Sequence, residues 1–241
     1  MPLLRRTNLA RLAIAILLPA LMVCLSSCYV GYSRTGGRVA YHDWNEGTGR
    51  NIQFLDRADA LTFVVLAKGS YAKDREHVWY VTRLIDGADP ESFVVLSNSI
   101  YGRYYGKDKN HVYMQGSIIP AADPGTFRLL TFPWSRDKAH VFLETDEVAI
   151  RDIESFEVLK VNSITGGWVR DEMAYYYGQR EVTEADYTSF QILDDEYAKD
   201  KNRVYWWGRP VPSADPDTFE VLNHGWARDK SHRFFVGAVA K

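Results

Sequence analysis

The chain has 241 residues, of which 46% are hydrophobic, 14% aromatic and 25% charged, a composition that excludes a disordered or collagen-like polypeptide. Its formal charge is −2. Residues 1–27 hold three arginines and no acid, so the remainder carries 26 basic against 31 acidic residues, or −5. A mildly acidic chain has no electrostatic footprint for nucleic acid or for anionic headgroups, and nucleic acid is not an expected partner.

Residues 1–27 read as a cleaved signal. Arg5, Arg6 and Arg11 precede an apolar block, Leu12–Leu25, that is short for a membrane span. Leu25-Ser26-Ser27-Cys28 then resembles the lipobox of bacterial lipoproteins, in which the Cys is lipid-modified and becomes the new amino terminus. Cys28 is therefore the expected lipidation site. The expected location is the bacterial cell envelope, with the membrane as partner through the anchor. Because Tyr29 follows the Cys where Asp would favour retention at the inner membrane, the expectation for a Gram-negative host is the outer membrane, facing the periplasm. The other cysteine, Cys24, lies inside the signal, so no disulfide is expected in the folded part.

Residues 28–57 are expected to form a linker and a degenerate half-repeat that caps the start, with a loose Gly-rich stretch over Gly36–Gly49. From residue 58 to 241 the chain is periodic, and two anchors recur six times. One is Asp-x-x-x-Phe, at Asp59/Phe63, Asp89/Phe93, Asp123/Phe127, Asp152/Phe156, Asp186/Phe190 and Asp215/Phe219. The other is an aromatic, then an Asp three residues on, then an aromatic five further: Tyr71/Asp74/Trp79, Tyr105/Asp108/Tyr113, Trp134/Asp137/Phe142, Trp168/Asp171/Tyr176, Tyr197/Asp200/Tyr205 and Trp226/Asp229/Phe234. The step from each second-anchor Asp to the next Phe is 19 residues in all five cases, whereas the step from Phe to the following Asp is 11, 15, 10, 15, 10 and 10. A constant spacing implies a rigid unit, and the variable one a surface loop.

The residue types assign the pieces. The first Asp caps a single helical turn, with Pro suited to its first position. The second Asp shapes a tight turn through its carboxylate. Stretches such as Arg203-Val204-Tyr205-Trp206 favour strand, and Gly208 or Gly116 marks a hairpin turn after it. Such strands are apolar on both faces, so neighbouring units are expected to stack. The expected fold is mainly β: six stacked β-hairpin repeats of about 30 residues with single helical turns, in an open solenoid-like array. A propeller-like arrangement is the alternative, disfavoured because four-stranded blades run to about 40–45 residues.

Tyr-x-Lys-Asp-Lys-Asn-x-Val-Tyr and Ala-Asp-Pro-x-Thr-Phe, most literal at Asp108–Tyr113 and Asp200–Tyr205, resemble the DKNYY family of bacterial repeat proteins over residues 58–241. Asp171-Glu172-Met173-Ala174 and Asp229-Lys230-Ser231-His232-Arg233 depart from it. The resemblance implies fold and envelope location, and no catalytic residues.

No GxSxG, HExxH, P-loop or CxxC pattern occurs, and neither metal nor cofactor is expected. The six turn aspartates offer one carboxylate each where calcium needs six to eight oxygens. His77, His111, His140 and His232, each three residues after a turn Asp, read as a solvated strand entry. Trp206-Trp207 and Tyr175-Tyr176-Tyr177 read mainly as core, though such rings also stack on sugars. Function is placed in the variable loops, two of which share a word: Asn98-Ser99-Ile100-Tyr101-Gly102 and Asn162-Ser163-Ile164-Thr165-Gly166. They are the expected partner-binding loops. The functional expectation is an interaction or structural module whose partner is an envelope protein or glycan. The alternative is a glycan-binding protein or glycan-acting hydrolase.

Overall fold

The computed structural model describes residues 30–66, 70–96, 105–223 and 225–240. Cys28 and the first partner loop, Asn98–Tyr101, lie outside the described residues. The chain divides into two compact units after Asp86. Among the described residues all regular structure is strand, arranged in seven separate antiparallel sheets, none closed into a barrel. No helix among them is long and apolar enough to cross a membrane.

The first unit opens with a three-stranded sheet, Gly31–Thr35, Arg38–Asn45 and Gly49–Phe54. The stretch expected to be loose is ordered. Gly36 and Gly37, both at positive φ, turn the first hairpin, and Asn45 Oδ1 turns the second by accepting the Gly47 and Thr48 amides. One face of this sheet packs Tyr32, Val39, Tyr41 and Leu55 against Phe63, Ala72 and Trp79 of the first repeat, whose strands begin at Val64–Val65. The capping half-unit is thus a complete small sheet.

Each of the six β-hairpin repeats is a four-stranded antiparallel meander. In the fifth repeat the strands are Gln191–Ile192, Tyr197–Lys199, Val204–Trp206 and Arg209–Pro210. Two of the four are two residues long, which is how four strands fit into about 30 residues and why length was a poor argument against four-stranded units. The fourth strands, such as Ser117–Ile118 and Arg209–Pro210, are sheet edges, as prolines at 120, 210 and 212 require.

Within the second unit consecutive sheets pack face to face. Trp168, Tyr175, Tyr177 and Val182 of the fourth repeat meet Phe190, Ala198 and Tyr205 of the fifth. Tyr197, Val204 and Val211 of the fifth meet Phe219, Ala227 and Phe234 of the sixth. The strand expected to be covered on both faces is covered on both: Val204 and Tyr205 are each fully buried. In the sixth repeat the outward positions are Trp226, Arg228, Arg233 and Phe235, covered by nothing among the described residues. Arg233 stands where four other repeats carry Val, and its guanidinium lies 5.7 Å from the Trp226 ring centre. The departure from the repeat pattern at this position sets a cation beside an exposed ring.

The two aspartates of each repeat are one device. The turn Asp is buried in every repeat. Asp200 Oδ1 accepts the amides of Asn202 and Arg203 at 2.7 and 2.8 Å. Its Oδ2 accepts the Asp186 amide at 2.8 Å and the Tyr205 hydroxyl at 2.8 Å. The same bond from first to second Asp recurs at Asp59–Asp74, Asp89–Asp108, Asp123–Asp137, Asp152–Asp171 and Asp215–Asp229, at 2.8–2.9 Å. A third member escaped the sequence reading although it is present in all six: Ser or Thr three residues after the first Asp. Ser189 Oγ donates to Asp186 and accepts the Lys201 amide, as Thr62, Ser92, Thr126, Ser155 and Thr218 do in theirs. The Lys after the turn Asp closes the set by pairing with the first Asp, as in Lys201–Asp186 at 2.7 Å. The first Asp caps a single turn, since the Phe127 and Phe63 amides donate to the carbonyls of Asp123 and Asp59. No helix follows it.

Asp108, Asp137, Asp171, Asp200 and Asp229 feel opposed influences. Burial is the largest and pushes each carboxyl up, but the hydrogen bonds together outweigh it and hold each below the ordinary 3.8. A carboxyl lowered in the folded state stabilises the fold above its unfolded value, and that contribution disappears as pH falls through the folded value. Stability carried by these five groups is therefore expected to be constant from neutrality down to about pH 4 and to fall only in stronger acid. Urea midpoints followed by near-ultraviolet circular dichroism across that range test it. A steep loss already between about pH 7 and 5 would show that other groups control acid stability.

Candidate functional site

The third and fourth strands of each repeat are joined by a tight turn whose first residue has positive φ. That position holds Val81, Gln115, Glu144, Gly178, Trp207 and Val236 in the six repeats. Trp207, at φ 49°, is the one aromatic among them, and a bulky side chain in this region is strained. Gly208 after it, at φ 71°, comes close to Tyr177: a Cβ there would lie 3.0 Å from Tyr177 Cβ. The turn of the fifth repeat is thereby seated on the hairpin of the fourth.

The result is a cleft of about 420 Å³, lined by Thr165, Tyr177–Arg180, Trp206, Trp207 and Arg209. The Trp207 ring is nearly parallel to Trp206 (4.3 Å between centres, 11°) and to Tyr177 (6.1 Å, 12°). Trp207 is 37% exposed, whereas Tyr177 is buried and burial pushes its hydroxyl up. Arg180 and Arg209 are exposed at the rim, and neither pairs with a carboxylate among the described residues. Gln179 Nε2 donates to Asp146 at 3.1 Å. The site offers flat aromatic surface beside two cationic forks, which suits recognition.

The second expected partner loop reaches this cleft. Asn162 Oδ1 accepts the amides of Ile164 and Thr165 at 2.9 and 3.0 Å, and the Asn162 carbonyl accepts the Gly166 amide. Thr165 Oγ1 then donates to the Tyr177 hydroxyl at 3.0 Å. Ser163 is exposed and Ile164 is 90% exposed, so one end of the loop projects while the other lines the cleft. The reading of the aromatic clusters as core holds for Tyr175, Tyr176 and Tyr177 and fails for Trp207. The available signal was a tryptophan at a turn position that Val, Gln, Glu or Gly occupies elsewhere.

Other candidates resolve into structure. His77, His111 and His140 are half-buried rather than solvated, and His232 is exposed as expected. Nδ1 of His77, His140 and His232 lies 3.2–3.6 Å from the turn Asp of its own repeat, and each ring packs on the aromatic two residues later. Ser33 Oγ meets His42 Nε2 at 2.5 Å, which superficially resembles a nucleophile and its base. Arg50 Nη2, however, lies 3.0 Å from His42 Nδ1. A guanidinium can only donate, so Nδ1 accepts and Nε2 carries the proton that is given to Ser33. That imidazole nitrogen has no lone pair with which to take a proton from serine. Asp194 Oδ1 accepts the Glu196 and Tyr197 amides, and Asp195 pairs with Lys160, so the paired acids shape a surface turn.

The sequence pattern of the DKNYY family matches residues 71–238. No curated protein and no solved structure matches the chain.

Proposed function

The chain belongs to the DKNYY family, and on that premise we propose that it is a lipid-anchored cell-envelope protein whose repeats form an interaction module, with the cleft of the fourth and fifth repeats as its contact site. The observation that carries this reading is Trp207. It is exposed in a turn and lines a cleft with Arg180 and Arg209, while the second-anchor aromatics of the repeats other than Trp226 are buried. Trp, Tyr and Arg are also the residues that dominate binding hot spots. The anchor is supported by the order of charged block, apolar block and Leu-Ser-Ser-Cys28 in the first 28 residues.

A second reading, a glycan-binding module, is favoured by the same rings, since flat aromatic surface stacks on sugar faces. The two readings share a site and differ in ligand. One experiment addresses both. Wild type, Cys28→Ala and Trp207→Ser are labelled with palmitate, solubilised from envelope and used to capture partners. Cys28→Ala is expected to lose label, and Trp207→Ser to keep label but lose roughly tenfold or more in capture of protein or glycan, as loss of a hot-spot tryptophan implies. Label on Cys28→Ala would refute the anchor; undiminished capture by Trp207→Ser would refute the site.

A further inference from the structure

The other face of the N-terminal sheet is not accounted for by the fold. Its alternating positions are Arg38, Ala40, His42 and Trp44 on the middle strand, opposite Arg50, Ile52 and Phe54 on the edge strand. Trp44, Ile52 and Phe54 are 48%, 47% and 40% exposed. These positions include two arginines, of which Arg38 is paired with the exposed Asp56 at 2.8 Å. The Arg38 guanidinium lies 4.1 Å above the Phe54 ring, and Arg50 contacts His42. Exposed Trp, Phe and Ile rimmed by arginine is the composition of a surface that sits in the boundary between lipid headgroups and acyl chains.

We infer that this face lies against the bilayer that holds the lipid anchor. The inference rests on Cys28 being the anchored residue, and it follows from chain length. Cys28 is three residues from Gly31, the start of the first strand, so the anchor is at most about 11 Å from the sheet. Gly31, His42 and Ile52 form one row across the three strands. With strands about 4.8 Å apart, Ile52 is about 10 Å from Gly31, within the reach of the same tether. A sheet so close to its anchor cannot avoid the membrane surface, and this is the face it has to offer. The overall negative charge is countered on this face by Arg50, whereas Arg38 is already paired with Asp56, so contact rests on the exposed Trp44, Ile52 and Phe54.

The chain from Cys28 onward has a single thiol, which permits a direct test. Cys28 is coupled to a maleimide lipid in vesicles of phosphatidylcholine and phosphatidylglycerol containing brominated acyl chains, and tryptophan quenching is compared for wild type, Trp44→Phe and Ile52→Glu. Quenching in the wild type that is lost in Trp44→Phe and abolished by Ile52→Glu is the expected result. Equal quenching in all three, or none in any, overturns the inference. So does self-association of uncoupled protein that Ile52→Glu removes, which would assign the face to a second copy. The chemical tether makes this result independent of lipidation in the cell, so failure of the anchor, seen as palmitate on Cys28→Ala, and failure of the face are read separately. Circular dichroism of Ile52→Glu, whose side chain is half exposed, confirms that it is folded.

Discussion

Replacing Asp200 with alanine is expected to destabilise the protein by roughly 3–5 kcal/mol, because it leaves several buried donors without acceptors at once. The Asn202, Arg203 and Asp186 amides and the Tyr205 hydroxyl all donate to this carboxylate, and Asp200 is 3% exposed. Asp200→Asn is expected to lose less, about 2 kcal/mol, since one oxygen survives while the amide group turns a donor toward the Asp186 amide and Tyr205 hydroxyl. Asp195→Ala, on an exposed side chain a few residues away, serves as control and is expected to stay within about 0.5 kcal/mol of wild type. Urea unfolding of the three variants decides the matter. Equal midpoints for Asp200→Ala and the control would mean that the aspartate tie contributes nothing.

Gly167→Ala is expected to be comparably damaging, at roughly 2–5 kcal/mol, from a left-handed backbone and an overpacked site acting together. Gly167 has φ 77°, and a Cβ there would lie 2.1 Å from the Lys160 carbonyl oxygen and 2.6 Å from the Asn162 amide nitrogen, both backbone atoms. Its own carbonyl accepts the Gly178 amide, joining the loop to the hairpin that carries the cleft. The variant should therefore weaken capture through Trp207 as well as stability. Gly47→Ala makes the matching control, because its added Cβ would meet only the Asn45 side chain, at 3.6 Å. If the two glycine variants unfolded at the same denaturant concentration, the loop would be shown to relax freely around a side chain at residue 167.

Both predictions explain the spacing of the repeat. The bond from the first-Asp amide to the second-Asp carboxylate spans 14 or 15 residues in the first, third, fifth and sixth repeats and 19 in the second and fourth. The same tie closes both lengths. Lengthening a closed loop adds little entropic cost, so the extra residues are free to take on another task. In the fourth repeat they form the Asn162–Gly166 turn and bring Thr165 to the cleft. The constant 19-residue step, by contrast, holds the third and fourth strands and the run to the next Phe, which carry the buried Val and aromatic positions of the repeat.

Much of this was legible in the residues. Paired aspartates at fixed offsets, alternating Val and aromatic positions, and glycines after them specify turns, strands and two-sided burial, because these are local preferences repeated six times. The strand count was not legible: a run of two residues such as Glu220–Val221 becomes a strand only when Arg228 and Ala227 lie beside it. Nor was the Ser or Thr that joins the two aspartates recognised, since its role depends on an amide 12 to 17 residues away.

The sequence by itself determined the six-fold β repeat, its family, and the turn role of its aspartates, since each of these follows from short-range chemistry. Only the tertiary structure decided which aromatics are exposed. Trp206 and Trp207 are adjacent in sequence, yet a left-handed turn leaves Trp207 open at the cleft while Tyr205 is sealed between sheets. Likewise, net charge spoke against a membrane surface, whereas strand pairing places Arg38, Trp44, Arg50, Ile52 and Phe54 on one face. Composition averages over the chain, but binding depends on which side chains share a face, and that is set by pairing between strands rather than by order along them.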